Sequence, residues 1–409
     1  MNCRHCKSVL EHTFLDLGFA PPSNSYLSEE QLNYPEVYFP LKIKVCDRCW
    51  LVQTEDHAKF DELFTSEYAY FSSTSSSWLE HARIYSEKII EFLKLDGNSF
   101  VIEVAANDGY LLKNFVSTGI PCLGIEPTAS TASAAEQIGI PIHREFFGEQ
   151  LGIRLAREGR KADLIIGNNV YAHVPDINDF TRGLKNALKE QGVITLEFPH
   201  LLRLIDQCQF DTIYHEHFSY LSLHTVCKIF DAVGLRVWHV EELSTHGGSL
   251  RVYGCHEHDI AHLTQDSVSM LLRQEFEFGL QRLSTYSEFQ QLANKIKNEL
   301  LMFLIEKKMK GERVVAYGAA AKGNTLLNFA GVKPDLLPIV YDAASSKQGK
   351  FMPGSHIPIL DPDQITSASP EYILILPWNI VDEVMKTLSK LPELNEVHYL
   401  VAVPELKEL

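Results

Sequence analysis

The chain has 409 residues, 45% of them hydrophobic and 22% charged, a profile of a soluble globular protein too long for a single ordinary core. Its net charge of −16, from 53 acidic and 37 basic side chains, excludes the basic footprint that nucleic acid requires. No apolar run approaches the roughly 20 residues of a bilayer span, and Met1-Asn2-Cys3-Arg4-His5-Cys6 lacks the apolar core of a signal peptide, so a cytoplasmic protein with no membrane and no evident protein partner is expected.

Two CxxC pairs come first: Cys3 with Cys6, and Cys46 with Cys49. Without an export signal disulfides are not expected, and two such knuckles close a tetrahedral four-thiolate site for zinc. Four thiolates leave no open position for substrate, so the metal is expected to be structural, holding a lobe with little core of its own. Residues 1–65 are read as this lobe, with a strand signal over 37–45 and a turn at Pro21-Pro22-Ser23-Asn24. A serine run over 72–77 follows, which by composition is a linker. Its flanks, Tyr68-Ala69-Tyr70-Phe71 and Trp78, are too aromatic for a flexible spacer. A helix comes next, with Leu79, Ala82, Ile89, Ile90 and Leu93 on one face.

From residue 99 strands and helices alternate. Strand-like runs cover 100–104, 121–125, 164–166, 193–198, 235–240 and 249–254, with helical stretches between the first four. That pattern predicts a parallel doubly wound sheet in an α/β domain over 66–260. A helical region spans about 262–310, and a second α/β pattern recurs at 313–317, 336–341, 373–376 and 397–401. Residues 261–409 are therefore read as a helical connector and a second, Rossmann-like unit, with a ligand cleft between the two sheets.

In Glu103-Val104-Ala105-Ala106-Asn107-Asp108-Gly109 the first strand runs into a tight turn, where doubly wound sheets bind ligands. The next strand ends at Glu126, placed to take the hydroxyls of a ribose. The dinucleotide fingerprint is missing: one glycine occurs, and Asn107-Asp108 stands where a pyrophosphate would need bare backbone. Such side chains suit the cationic amino-acid tail of S-adenosylmethionine, with Asn168 and Asn169 lining the same cleft. Phe146 and Phe147 either flank an adenine ring or pack in the core.

The densest proton-handling segment is Tyr214-His215-Glu216-His217-Phe218-Ser219-Tyr220. It reads as an acid/base centre, a metal site or a buried polar strand. The HExxH spacing of helical zinc sites is absent, which disfavours the metal. Tyr214 and His217 are three apart and share a face in a helix or turn, while His215 points elsewhere. Near the carboxyl end, Gly318-Ala319-Ala320-Ala321-Lys322-Gly323-Asn324 follows a strand. Either its small residues admit a phosphate to a helix start, with Lys322 adding charge, or they let helix and strand pack closely. His246-Gly247-Gly248-Ser249 offers a second flexible wall.

Together these motifs resemble the sugar C-methyltransferases of deoxysugar biosynthesis over almost the whole chain. The resemblance rests on the paired CxxC lobe, the 103–109 turn, Asn169-Val170-Tyr171-Ala172-His173-Val174-Pro175-Asp176, the 214–222 segment, the 246–249 turn and the 317–324 turn. It implies a zinc lobe, an S-adenosylmethionine-binding methyltransferase domain and a C-terminal α/β domain that binds substrate. The implied substrate is a nucleotide-linked, dTDP-type 4-keto sugar. By that match His217 is the base that removes the proton beside the ketone, and Tyr68, His173, Tyr214 and Glu216 surround the sugar and its enolate. The residue types suit such chemistry. Histidine has the pKa range for the proton, a tyrosine or second histidine can hold the oxyanion, and a carboxylate such as Glu216 can orient the imidazole. Competing readings are an O- or N-methyltransferase on the same scaffold, an NAD-dependent sugar oxidoreductase and a nucleotide-sugar-binding protein without activity.

Overall fold

The computed structural model describes residues 1–55 and 71–409. In the amino-terminal lobe, β1 (His12–Ala20), β2 (Phe39–Val45) and β3 (Val52–Thr54) form an antiparallel meander. In β2 the buried residues Leu41, Ile43 and Val45 alternate with more exposed ones, as the sequence pattern requires. β1 carries no such signal because its register shifts twice, between Thr13 and Leu15 and between Asp16 and Phe19. Each irregularity breaks the period of two that identifies a strand.

The serine run is not a spacer. Ser72–Thr74 makes one 3₁₀ turn, and the Ser75 side chain caps the helix Ser76–Leu93 by accepting from the Trp78 amide. That helix buries Trp78, Ala82, Tyr85 and Ile89 against the second sheet. The sheet contains β4 (Val101–Val104), β5 (Cys122–Ile125), β6 (Ile142–His143), β7 (Ala162–Asn168) and β8 (Leu188–Pro199), all parallel. The chain then leaves it: β9 (Ser219–Tyr220) pairs with β3 and becomes the fourth strand of the amino-terminal sheet. β10 (Leu235–Leu243) and β11 (Ser249–His256) return to complete the order β10-β11-β8-β7-β4-β5-β6.

The expectation of a wholly parallel sheet fails at β11, which runs antiparallel to both β10 and β8. Only residues 244–248 separate β10 from β11, whereas a parallel crossover needs about a dozen residues. A hairpin is the one connection open to that length.

The predicted long helical region is three helices, Asp266–Phe278, Leu283–Ser287 and Phe289–Lys310, interrupted after Gly279 in a left-handed conformation. The third sheet follows, with β12 (Val314–Tyr317), β13 (Val340–Tyr341), β14 (Ile359–Leu360), β15 (Tyr372–Ile375), β16 (His398–Val401) and β17 (Lys407–Glu408). Its order is β14-β13-β12-β15-β16-β17, parallel except for the last edge strand. One apolar core joins this sheet to the amino-terminal lobe through the helices, with Phe14, Ile43, Phe289, Leu300, Leu326 and Leu374 among its members. No helix among the described residues is long and apolar enough to cross a membrane.

In each doubly wound sheet the chain reverses its winding at one point, between β4 and β7 in the first and between β12 and β15 in the second. The loops beyond those strand ends are where open α/β sheets hold ligands. Here the β10–β11 turn bridges the two reversal points: Trp378, just past β15, packs so closely on it that a Cβ on Gly247 would lie 2.4 Å from the ring, and His246 of the same turn reaches Asn169, just past β7. The candidate site lies in the seam between them.

Candidate active site

The sulfurs of Cys3, Cys6, Cys46 and Cys49 all lie within 4.8 Å of one another, with Cys3–Cys49 and Cys6–Cys46 each at 3.5 Å. Zinc held at about 2.3 Å by four thiolates sets sulfurs about 3.8 Å apart, so the cluster fits the metal. The Cys49 hydrogen bond draws the Cys3 thiol down to about 4 against the effect of burial, with Gln53 assisting, while Cys49 itself is pushed up. Four sulfurs this close can all be thiolates only with a cation among them.

The knuckle also reaches towards the 214–220 segment. Arg4, inside Cys3-Arg4-His5-Cys6, donates to the carbonyls of Phe218 (3.3 Å), Pro175 (3.1 Å) and Thr54 (3.1 Å), with its guanidinium over the Phe218 ring. Thr54 donates its amide to Phe218 O and its hydroxyl to His217 O. One buried arginine thus ties the backbone beside His217 to the backbone beside His173.

At the end of β4 the turn is strained: Ala105 (φ +58°), Asn107 (φ +50°) and Gly109 (φ +79°) all adopt left-handed conformations. An alanine there costs about 1–2 kcal/mol, and such strain collects at functional loops. A Cβ on Gly109 would lie 2.2 Å from the Ile140 side chain. Gly109→Ala is therefore expected to lose about 1–3 kcal/mol of stability and weaken cofactor binding, measured by thermal melts with and without S-adenosylmethionine.

Glu126 is fixed by two backbone amides, Asn107 N at 3.0 Å and Thr128 N at 2.9 Å, which leave lone pairs on both oxygens. Glu103 is buried, and neither of its oxygens has a partner among the described residues. Burial, then the Asp108 and Glu126 carboxylates, push it well above the usual carboxylate range. Both amide atoms of buried Asn168 and Oδ1 of Asn169 also lack partners among the described residues. Three crowded carboxyl groups with idle amide groups suit a ligand that is cationic and rich in hydrogen-bonding groups, as S-adenosylmethionine is. Asn107 and Asp108 do more than the sequence foretells: their oxygens accept the Ser72 and Ser73 amides, holding the 71–75 segment over the turn. Phe147 packs edge-on against Phe180 in the core, so the core reading holds for that ring.

The histidine centre is built on a turn, with the His217 amide bonded to Tyr214 O. His217 Nδ1 lies 2.9 Å from the Thr212 carbonyl, which can only accept, so Nδ1 carries the proton. Nε2 is left as the acceptor for the Tyr214 hydroxyl at 2.8 Å. The His173 ring meets His217 edge to face at 4.6 Å, and burial draws His173 down to about 4. Burial, and next His173, hold His217 well below the usual histidine value, so its imidazole is neutral. Glu216 does not orient that ring, contrary to the sequence reading. It accepts from Asn24 Nδ2 of the amino-terminal lobe at 3.1 Å, and burial raises it to about 7. His215 turns away onto Phe39. Tyr68 lies outside the described residues.

A histidine base acts when unprotonated, and a depressed value keeps it so as the pH falls. Profiles of kcat/KM over about pH 5–8 are thus expected to show no break at the ordinary histidine value. A break near 7 that vanishes in Glu216→Gln would belong to that carboxyl.

From the β10–β11 turn, His246 takes a left-handed conformation, with Nε2 3.0 Å from Asn169 Nδ2 and its ring beside Trp78. From the third sheet comes Lys322. Its Nζ bonds Asn379 Oδ1 at 2.5 Å and lies 4.5 Å from the Trp378 ring centroid. Trp378 Nε1 donates to buried Asp211 at 2.8 Å. The 318–324 turn is not an open phosphate cradle. Pro377 fills the space beside Gly318, Leu376 fills that beside Gly323, and the Ala319 amide donates to Asp342. Asn324 is fully buried, its amide atoms without partners among the described residues. Close packing is what the small residues serve here.

Sequence reasoning missed Asn24, Thr212, Asp211, Trp378 and Asn379. Trp378 and Asn379 follow β15 at the reversal point, a placement that could have marked them. The others carry no local signal.

Family profiles match the chain in three stretches: a zinc binding domain over 3–64, a methyltransferase domain over 78–240 and a C-methyltransferase C-terminal domain over 244–404. The fold and the profiles define an S-adenosylmethionine-dependent methyltransferase with a zinc-binding lobe. The C-methyltransferase NovU of Streptomyces niveus is 32% identical over 98% of this chain and 95% of its own length. This chain belongs to that C-methyltransferase family. Among solved structures, a methyltransferase from Clostridium acetobutylicum ATCC 824 aligns with 43% of this chain and 91% of its own, at 12% identity and TM-score 0.36. Magnesium protoporphyrin IX methyltransferase from Synechocystis PCC 6803 aligns with 44% and 80%, at 16% identity and TM-score 0.32.

Proposed function

We propose that the protein transfers a methyl group to the carbon beside the ketone of a nucleotide-linked 4-keto deoxysugar, with dTDP as the carrier. The observation that carries this reading is the Tyr214–His217 pair: a neutral imidazole whose tautomer is set by a backbone carbonyl and whose free nitrogen faces a phenol. Methylating a hydroxyl or amine can also use a base but forms no enolate, whereas a carbon acid needs both a base and a held oxyanion, which is why exchange beside the ketone separates the two. In this reading the proton leaves the sugar carbon towards Tyr214 and His217 and ends on Nε2. His173 and Glu216 border the sugar and His246 completes its wall; Gly318 and Asn324, expected at the substrate from the sequence, are closed off by packing, and the Tyr68 expectation lies outside the described residues. When bound, S-adenosylmethionine supplies an electrophilic methyl group. Glu103, Asn107, Asp108, Gly109, Asn168 and Asn169 would hold its amino-acid part and Glu126 its ribose.

The test is deuterium uptake from heavy water into a dTDP-linked 4-keto deoxysugar without S-adenosylmethionine. Exchange at the carbon next to the ketone, followed by a product 14 mass units heavier once the donor is added (one CH₂ gained, about 14 by formula), supports the reading. No exchange with substrate bound and the fold intact would sink it in favour of O- or N-methylation. Reduced nicotinamide formed on turnover would favour an oxidoreductase.

A further inference from the structure

Lys322 has a role that the phosphate reading does not cover. The lysine lies in the first turn of the helix Ala321–Ala330, which docks beside the histidine segment through Thr325 Oγ1 to Ile213 O at 2.9 Å. Its ammonium is held from the side by Asn379 Oδ1 and from one face by the Trp378 indole, which is itself pinned by Asp211 and packed on the β10–β11 turn. Its charge bears on both His217 and His246. The surroundings are wrong for a diphosphate: the neighbouring Asp211 carboxylate repels it, and the turn's glycines are closed by packing. A single, delocalised negative charge is what they suit.

We propose that Lys322 is a catalytic residue whose ammonium meets the ketone oxygen as it becomes the enolate oxygen. The inference rests on the carbon-acid reading above. The C–H bond beside the ketone breaks and its proton ends on His217 Nε2. The bonding pair forms the enolate double bond, and the carbonyl pair moves onto oxygen, opposite Lys322. The enolate carbon then takes the methyl group, the sulfur of the donor keeps the pair of the broken S–CH₃ bond, and the carbonyl re-forms. Lys322 gains and loses no proton. A buried histidine held neutral is a weak base, so the oxyanion must be strongly stabilised for the first step to proceed.

The experiment compares the parent with Lys322→Met and with the milder Lys322→Gln. It reads deuterium exchange at saturating dTDP-linked 4-keto deoxysugar, methyl transfer, affinity for dTDP alone, and affinity for S-adenosylmethionine as the check on folding. Exchange and kcat are expected to fall together by about 10²–10³-fold in both variants, with dTDP affinity within about threefold of the parent. Exchange near the parental rate, with dTDP affinity lost, would overturn the proposal and make Lys322 a phosphate anchor. A parent that binds the sugar yet shows no exchange would instead remove the carbon-acid reading itself.

Discussion

His217→Asn is expected to lower kcat by about 10²–10⁴-fold, the usual cost of losing a general base, with affinity for S-adenosylmethionine within a few-fold of the parent. The choice of asparagine matters. Its amide can still donate to the Thr212 carbonyl where Nδ1 now does, so the turn that carries Tyr214 keeps its anchor. What disappears is the nitrogen facing the Tyr214 hydroxyl. The residues proposed to hold the cofactor stand on other strands, at the ends of β4, β5 and β7, and have no reason to change. Calorimetric titration with S-adenosylmethionine, beside deuterium exchange into the keto sugar, separates the two effects. Turnover within a few-fold of the parent would remove His217 from the role. Tyr214→Phe tests the partner: if the phenol relays the proton, exchange falls with methyl transfer, and if it only supports the ring, exchange is largely kept.

The second large effect concerns the zinc lobe, where removing the metal is expected to abolish turnover while S-adenosylmethionine binding survives. A four-thiolate site contributes of order 10–16 kcal/mol to folding the lobe it closes. The lobe here is not a separate bead on the chain. Its β3 pairs with β9, which begins just after His217 and Phe218, and Arg4 from the first knuckle grips Phe218 O and Pro175 O together. Asn24 from the same lobe holds Glu216. Loss of the lobe therefore loosens the mutual placement of His173 and His217, and a misplacement of about 1 Å costs about 10²-fold in rate. Arg4→Met, with zinc retained, isolates this contribution. The expected result is a fall of about 10²-fold in kcat, with zinc content and S-adenosylmethionine affinity unchanged and a steeper loss in kcat than in KM. A variant with parental kcat would confine the lobe to a purely structural part.

Much of the site was legible because its signals are local. The CxxC spacing delivers a metal cluster wherever the two knuckles meet, and the four sulfurs do meet. The turn at 103–109 follows a buried strand and lies at the β4–β7 reversal point, as a doubly wound reading demands. Tyr214 and His217, three apart, do share one face of a turn. The errors have equally physical origins. β1 went unseen because bulges destroy alternation, and β11 reversed because its connection is too short to cross over. Glu216 looked like the orienting carboxylate because it adjoins His217 in sequence, yet adjacent residues in such a turn point apart. A backbone carbonyl, which no residue type announces, took its place.

By itself the sequence determined the four-cysteine cluster, the two α/β units, the tight turn after β4 and the tyrosine–histidine pair. Each depends on spacing within a few residues or on the periodicity of one element. Tertiary structure alone decided what surrounds that pair: Arg4 and Asn24 from one end of the chain, Lys322, Trp378 and Asn379 from the other. The Trp378–Asp211 and Arg4–Phe218 contacts join residues 167 and 214 positions apart. Nothing in local propensity encodes a partner so distant, and only the packing of the amino-terminal lobe and the third sheet on the methyltransferase sheet brings such groups to the same few ångströms.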